Sequence, residues 1–145
     1  MADYEVKYST PAAIQTLLST ELNSLANGSS VLSGAIDNSA GTYKYLDLHF
    51  YIAAQGSARS AGAYVNIEIC VSVDGTNYCD ATSPIAAPFA RFPLDAATTA
   101  RYATRAIIAI PPRLFKLNLT DSTGQAFASS GNLLKYSLYA DQVTG

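Results

Sequence analysis

The residues able to do chemistry are few, and their spacing matches no catalytic pattern. His49 is the only histidine among 145 residues. It shares the polar face of one predicted strand with Tyr45, Asp47 and Tyr51. A Ser-His-Asp triad needs an activated serine, and no Gly-x-Ser-x-Gly elbow occurs. Asp47 and Glu68 would form a glycosidase-like carboxylate pair only if their strands were neighbours, and outward acids are ordinarily solvated. We therefore expect no enzymatic activity and no catalytic residue.

The two cysteines, Cys70 and Cys79, flank an Asp74-Gly75 turn signal. With one histidine they cannot close a zinc site without acids, so we expect no metal or cofactor. A two-residue Asp-Gly turn predicts a hairpin that places Cys70 opposite Cys79, close enough for a disulfide. A four-residue loop would instead place Cys79 opposite Ser72. Two unbonded thiols are the alternative expected in a reducing cytosol.

Strands are predicted throughout, because apolar and polar residues alternate with period two. The clearest runs are 43–54, 64–73, 114–120 and 133–140, with weaker ones at 22–25, 31–36, 78–81 and 104–110. In the second run the predicted core set is Val65, Ile67, Ile69, Val71 and Val73. These signals predict an all-β fold: an antiparallel β-sandwich of jelly-roll type with roughly eight strands.

Two segments depart from this alternation. Residues 1–18 are predicted to form an N-terminal arm, with a short helix over 11–19, ahead of a sandwich domain over 19–145. Residues 81–113 read as one long loop, since the region 84–112 holds five of the six prolines. Four arginines and one aspartate give residues 91–113 a charge of +3, although the whole chain carries −2. An arginine-rich loop with aromatic anchors is typical of a contact surface.

Composition fits either a chain that is partly covered by other protein or one whose surface is solvated by uncharged polar side chains. Charged residues make up 14%, against about 25% in ordinary soluble domains, so little charge is left to keep a lone monomer apart from its neighbours. The first ten residues lack a secretory apolar core, and no run reaches the length of a membrane span. We expect synthesis in the cytosol, no membrane partner and, given the negative net charge, no nucleic-acid partner.

Several segments, taken in order, resemble small virion proteins of tailed bacteriophages, in particular jelly-roll head decoration (cement) proteins. They are 24–28 (SLANG), 34–38 (GAIDN), 45–48 (YLDL), 71–78 (VSVDGTNY), 111–112 (PP), 115–117 (FKL) and 130–136 (SGNLLKY). The resemblance covers about residues 16–140. It implies a homo-oligomeric protein on the capsid surface of a virion, made in the host cytoplasm, that binds the major capsid protein and copies of itself.

The predicted contact residues lie in the arm and in the loop: Tyr4, Val6, Tyr8, Ile14, Leu17, Leu18, Phe89, Arg91 and Phe92. Deletion of residues 1–15 is expected to leave a folded monomer that assembles weakly. A tail- or fibre-associated virion component, or a carbohydrate-binding β-sandwich module that uses outward tyrosines, is the alternative function.

Overall fold

Eleven β-strands and one turn of 3-10 helix form the regular structure of the computed structural model, which describes residues 3–79 and 87–145. The strands are β1 (Glu5–Tyr8), β2 (Gln15–Leu18), β3 (Ser30–Leu32), β4 (Ile36–Asp37), β5 (Tyr45–Ile52), β6 (Tyr64–Ser72), β7 (Ala87–Pro93), β8 (Arg101–Ala109), β9 (Leu114–Ser122), β10 (Leu133–Tyr139) and β11 (Asp141–Thr144). The helical turn spans Thr20–Leu22.

Two antiparallel sheets build the sandwich. Sheet I has the order β2-β10-β5-β8, and sheet II has the order β3-β9-β6-β7 with β4 also paired to β9. Strands β1 and β11 pair only with each other and form a two-stranded ribbon. The predicted all-β, antiparallel sandwich of jelly-roll type is confirmed. The strand number exceeds the predicted eight because several strands, such as β4, are too short to leave a periodic signal.

The core lies where alternate side chains of the two sheets meet. Strand β5 contributes Leu46, Leu48, Phe50 and Ile52, each almost fully buried, as its alternation predicts. The ring of Phe50 stacks on that of Phe92 in sheet II, with centroids 5.5 Å apart. Each buried side chain of this size contributes about 1.5–3 kcal/mol through removal of apolar surface from water.

In β6 the predicted core set is right only at its beginning. Val65 and Ile67 are fully buried, whereas Ile69 and Val71 are partly buried against the core. Val73 is 73% exposed, because the strand ends at Ser72. The inward assignment of Val73 is therefore wrong.

The predicted hairpin after β6 does not form. An oxygen of the Asp74 side chain accepts hydrogen bonds from the backbone amides of Thr76 and Asn77, both at 2.8 Å, and Gly75 takes a φ of 80°. The chain turns here without starting a strand over 76–79, and β6 pairs instead with β7 and β9. Residues 80 and 81 of the predicted strand at 78–81 lie outside the described residues.

The sequence left two alternatives for the cysteines, a disulfide or two thiols, and no disulfide joins them in the structure. Cys70 lies opposite Lys116 of β9, and Cys70 and Cys79 are not bonded to each other within the described chain. Without the hairpin, no cross-strand register brings the two cysteines into the opposed positions that a bond requires.

The predicted loop over 81–113 contains two strands, β7 and β8, so its assignment as a loop is wrong over 87–93 and 101–109. Both are edge strands, where proline is tolerated because its missing N–H can face away from the sheet. Pro88 lies beside a register shift between β6 and β7, and Pro93 ends its strand. Residues 81–86 lie outside the described part.

The predicted helix over 11–19 is also wrong. Residues 15–18 form β2, which pairs with β10, and the amide of Ala12 already donates to the carbonyl of Leu138. Pairing along a sheet edge overrides the weak helical signal of this short segment. Residues 22–25 form no strand, and the 3-10 turn ends at Leu22. The prediction at 31–36 is right only at its ends, where β3 and β4 lie, whereas the prediction at 104–110 is confirmed by β8.

Candidate contact surfaces

The ribbon formed by β1 and β11 is amphipathic, and its apolar face is uncovered. The register places Val6 opposite Val143, so alternate residues of both strands share a face. One face carries apolar side chains that are 54–74% exposed: Tyr4, Val6, Tyr8 and Val143. Asp141, opposite Tyr8, lies on the same face at its base. The other face is polar: Glu5, Lys7, Gln142 and Thr144.

The ribbon extends sheet I beyond the sandwich. Strand β11 follows β10 after one residue, and the amide of Ser9 donates to the carbonyl of Ala140, which links β1 to the same edge. The pairing of β5 with β10 ends where Tyr45, the first residue of β5, lies opposite Tyr139. Past that point β1 and β11 have no further strand partner among the described residues, so each presents an unpaired edge.

A cluster of three tyrosines fixes the base of the ribbon. The ring of Tyr8 packs edge-on against Tyr45 and Tyr139, both at 5.7 Å. The hydroxyl of Tyr139 donates to an Asp47 oxygen at 2.8 Å, and burial together with this bond raises the pKa of Tyr139 to about 12. Lys44 reaches Asp141 of β11 at 3.0 Å. The base is therefore ordered although the ribbon is exposed.

The outer face of sheet I presents a second, polar and aromatic surface. The registers align Thr16, Lys135, His49 and Thr104 in one row across four strands, and Tyr51 lies opposite Tyr102 in the next row. The Tyr102 ring centroid lies 4.5 Å from that of Tyr51 and 5.1 Å from that of His49. His49 and Thr104 also line a groove of about 590 Å³, which is bounded on one side by Pro11, Ala12 and Ile14. The Tyr51 and Tyr102 rings lie outside its lining and adjoin it at His49.

Asp47 stabilises the backbone of the neighbouring strand at this face. The register of β5 and β8 shifts between Leu46 and Leu48, which is the signature of a β-bulge. In the bulge Ile107 takes a φ of 59°, a left-handed conformation that is rare for a β-branched residue. One Asp47 oxygen accepts from the Ile107 amide at 2.9 Å as well as from Tyr139, so this carboxylate holds the bulge in place.

The carboxylate pair considered from sequence does not exist. Asp47 lies in sheet I and Glu68 in sheet II, so their strands are not neighbours. Glu68 instead accepts a hydrogen bond from Asn66 at 3.0 Å. Over the described residues no group of three or more His, Cys, Asp or Glu side chains could hold a metal ion, and no helix there is long and apolar enough to cross a membrane.

The predicted contact residues divide into three groups by burial. Leu18 and Phe92 are core side chains with 2% and 1% exposure, so their assignment as contact residues is wrong. Leu17 and Phe89 are partly buried against the same core. The exposed members are Tyr4, Val6, Tyr8, Ile14 and Arg91, and their contact role stays a prediction. The Arg91 guanidinium lies 4.0 Å from the centre of the Tyr64 ring.

Sequence reasoning missed a buried arginine that organises the neighbouring loops. The Arg59 side chain is fully buried and donates to Gln55, to Asp95 and to the carbonyl of Thr99, at 2.9–3.0 Å. Hydrogen bonds from Arg101 and then Arg59 lower the pKa of Asp95 to about 2. Arg59 lies in a Gly/Ser/Ala-rich stretch without periodicity, so no local signal marked it as buried.

Comparison with known proteins yields distant structural likenesses alone. No family model matches the sequence, and no curated protein matches it. The CBM36-1 domain of a multidomain xylanase from the hindgut metagenome of Trinervitermes trinervoides is 9% identical with a TM-score of 0.42, over 99% of this chain and 98% of that one. Desmodium yellow mottle tymovirus gives 10% identity and a TM-score of 0.39, over 99% and 90%. Turnip yellow mosaic virus gives 9% and 0.37, over 100% and 86%. At these values the likenesses carry no argument about function.

Proposed function

We propose that this chain is a structural virion protein that decorates the outer surface of a phage capsid and cements it through protein–protein contacts. Its partners are the major capsid protein and further copies of itself. The observation that carries the proposal is the amphipathic ribbon, whose apolar face is exposed to solvent together with its polar face.

The ribbon is suited to docking because, in an isolated molecule, it is only marginally stable and leaves its strand edges unpaired. A two-stranded ribbon is marginally stable in water, and its unpaired edges invite pairing with another chain. Contact with a neighbour would bury Tyr4, Val6 and Val143 and satisfy those edges by strand addition. The ordered tyrosine base reduces the entropy that such a contact must overcome.

Weak individual contacts are sufficient on a capsid. A standard interface buries about 800 Å² on each partner, and a ribbon with a few apolar side chains covers less than that. Repetition over a closed shell raises the effective affinity without requiring tight single contacts. The scarcity of charged side chains in the chain suits a crowded lattice of this kind.

The test is co-sedimentation of the purified protein with phage heads that lack it, followed by electron microscopy of the decorated shells. Substitution Val143→Asp places a charge on the apolar face of the ribbon, and we expect it to weaken head binding about tenfold or more while the fold is retained. The matched control is Gln142→Asp, one residue away on the polar face, which we expect to bind as the wild type does.

Two results would contradict the proposal. A wild-type protein that neither sediments with heads nor adds density to their surface would rule out decoration. Equal loss of binding in the Val143 and Gln142 variants would show that the apolar face is not the contact.

A further inference from the structure

We infer that the outer face of sheet I is a binding site for an acidic glycan, a pyranose chain that bears carboxylates, with Tyr102 as its stacking platform. This goes beyond capsid decoration, because it assigns a ligand to a surface that the ribbon contact does not use. Tyr102 lies near the end of β5 that carries Tyr51, whereas the ribbon base lies at Tyr45. Six residues of strand separate the two by about 20 Å.

The first argument is the geometry of the aromatic platform. Tyr102 is 70% exposed, and its ring contacts those of Tyr51 and His49 on the neighbouring strand, with centroid distances of 4.5 and 5.1 Å. A tyrosine fixed in this way offers a rigid apolar face at little entropic cost to the binding of a ligand. The C–H face of a pyranose ring is a flat apolar surface of matching size.

The second argument is the set of polar groups beside the platform. Thr104 and Lys135 lie on either side of His49 in the same cross-strand row, and Thr16 follows Lys135. Hydroxyl, imidazole and ammonium groups are donors and acceptors for sugar hydroxyls. His49, Thr104 and Lys135 line the groove of about 590 Å³, which adjoins the Tyr102 ring at His49 and lies within the range of about 300–1,000 Å³ that is typical of small-ligand sites.

The third argument is charge. The groove is lined by Lys135 and Arg105, and neither forms a salt bridge with any described residue. The acid in the lining is Asp47, one of whose oxygens is already committed to Tyr139 and Ile107. The two cations outnumber this single acid, so a carboxylate on the ligand would balance the remaining positive charge, which favours acidic over neutral glycans.

The composition of this surface also distinguishes a glycan from a protein segment. An apolar helix or strand would leave Lys135, His49 and Thr104 without partners on desolvation, at a cost in binding free energy. A glycan brings hydroxyls to each of them and keeps one apolar ring face for Tyr102.

The experiment is a glycan array printed with oligosaccharides that carry glucuronic, galacturonic or sialic acid, alongside their neutral counterparts. The strongest acidic hit is then titrated by calorimetry against the full chain. We expect Tyr102→Ala to raise its dissociation constant about tenfold or more, and Lys135→Gln to raise it by about threefold or more. The controls Tyr4→Ala and Lys7→Gln, on the exposed ribbon, should change it less than about twofold.

Folding of each variant is checked by its thermal unfolding midpoint, and phage-head binding is measured in parallel. Retention of head binding by Tyr102→Ala, with loss of glycan binding, would support a site separate from the capsid contact. Absence of any acidic hit, equal binding of the neutral counterparts, or binding that survives Tyr102→Ala would overturn the inference whatever the result for decoration.

Discussion

At the scale of single residues, the most consequential side chain is Arg59. Its buried guanidinium satisfies the side-chain oxygen of Gln55 and the carbonyl of Thr99, and it shares the Asp95 carbonyl with the amide of Ala97. We predict that Arg59→Met lowers the free energy of unfolding by about 3 kcal/mol, because it strands these acceptors. Urea unfolding followed by circular dichroism measures the change.

The matched control for this prediction is Arg101→Met. Arg101 binds the same Asp95 carboxylate, at 2.6 Å, but its side chain is 41% exposed. Solvent screens such a pair, so its loss should have a much smaller effect. Equal destabilisation by both substitutions would mean that burial of Arg59 is not the source of its effect.

Asp121 is the residue whose ionisation opposes folding. It is fully buried, one of its oxygens has no hydrogen-bond partner, and burial raises its pKa. A raised pKa in the folded state means that its contribution to stability is full below the unfolded pKa of about 3.9 and is lost as the pH rises through the folded value.

We predict that Asp121→Asn increases the free energy of unfolding at neutral pH by about 1 kcal/mol, because the amide keeps an acceptor for Thr123 without a buried charge. The advantage over the wild type should shrink as the pH falls towards about 4. Urea unfolding of both proteins across this range measures it, and a variant that is less stable at neutral pH would contradict the prediction.

At the scale of elements, the N-terminal segment combines two parts with different roles. Strand β1 belongs to the exposed ribbon, whereas β2 is the edge of sheet I and ends in the core residue Leu18. We predict that deletion of residues 1–8 leaves a folded chain, because the side chains that it removes over residues 3–8 are exposed. Among them is the Tyr8 ring, which contacts Tyr45 and Tyr139.

Deletion of residues 1–18 should instead prevent folding or sharply reduce stability, since it removes a sheet edge and a buried leucine worth about 2–5 kcal/mol. Circular dichroism and urea unfolding of the two truncations decide between these outcomes. Unfolding of the shorter truncation would show that the ribbon is required for the sandwich itself.

At the scale of the whole molecule, the low charge content has a specific distribution. Some of the charge is used internally, as in the Arg59–Asp95–Arg101 cluster, rather than for solvation. Four of the exposed large apolar side chains of the described chain share one face of the ribbon, and Tyr102 lies at the far end of sheet I. The chain thus carries two separated surfaces of different chemistry, so the proposed capsid contact and the proposed glycan site need not compete.

The sequence by itself determined the fold class and most of the core. Strict alternation in β5 and β9 identified Leu46, Phe50, Phe115 and Leu117 as inward residues, because the side-chain period of a strand is fixed by backbone geometry. It also indicated an apolar N-terminal segment with exposed Tyr4, Val6 and Tyr8.

Only the tertiary structure decided which strands pair, and the wrong helix, hairpin and loop assignments follow from that. β6 pairs with β7 and β9 and not with residues 76–79, so the predicted hairpin is wrong. The burial of Phe92 and Leu18 could not be predicted, because their edge strands lack a strong periodic signal. The ribbon joins the two ends of the chain, and the Tyr51–Tyr102 platform joins β5 to β8. Contacts between such distant residues leave no mark on local periodicity, because local patterns record which face of a strand is buried and not which strand lies beside it.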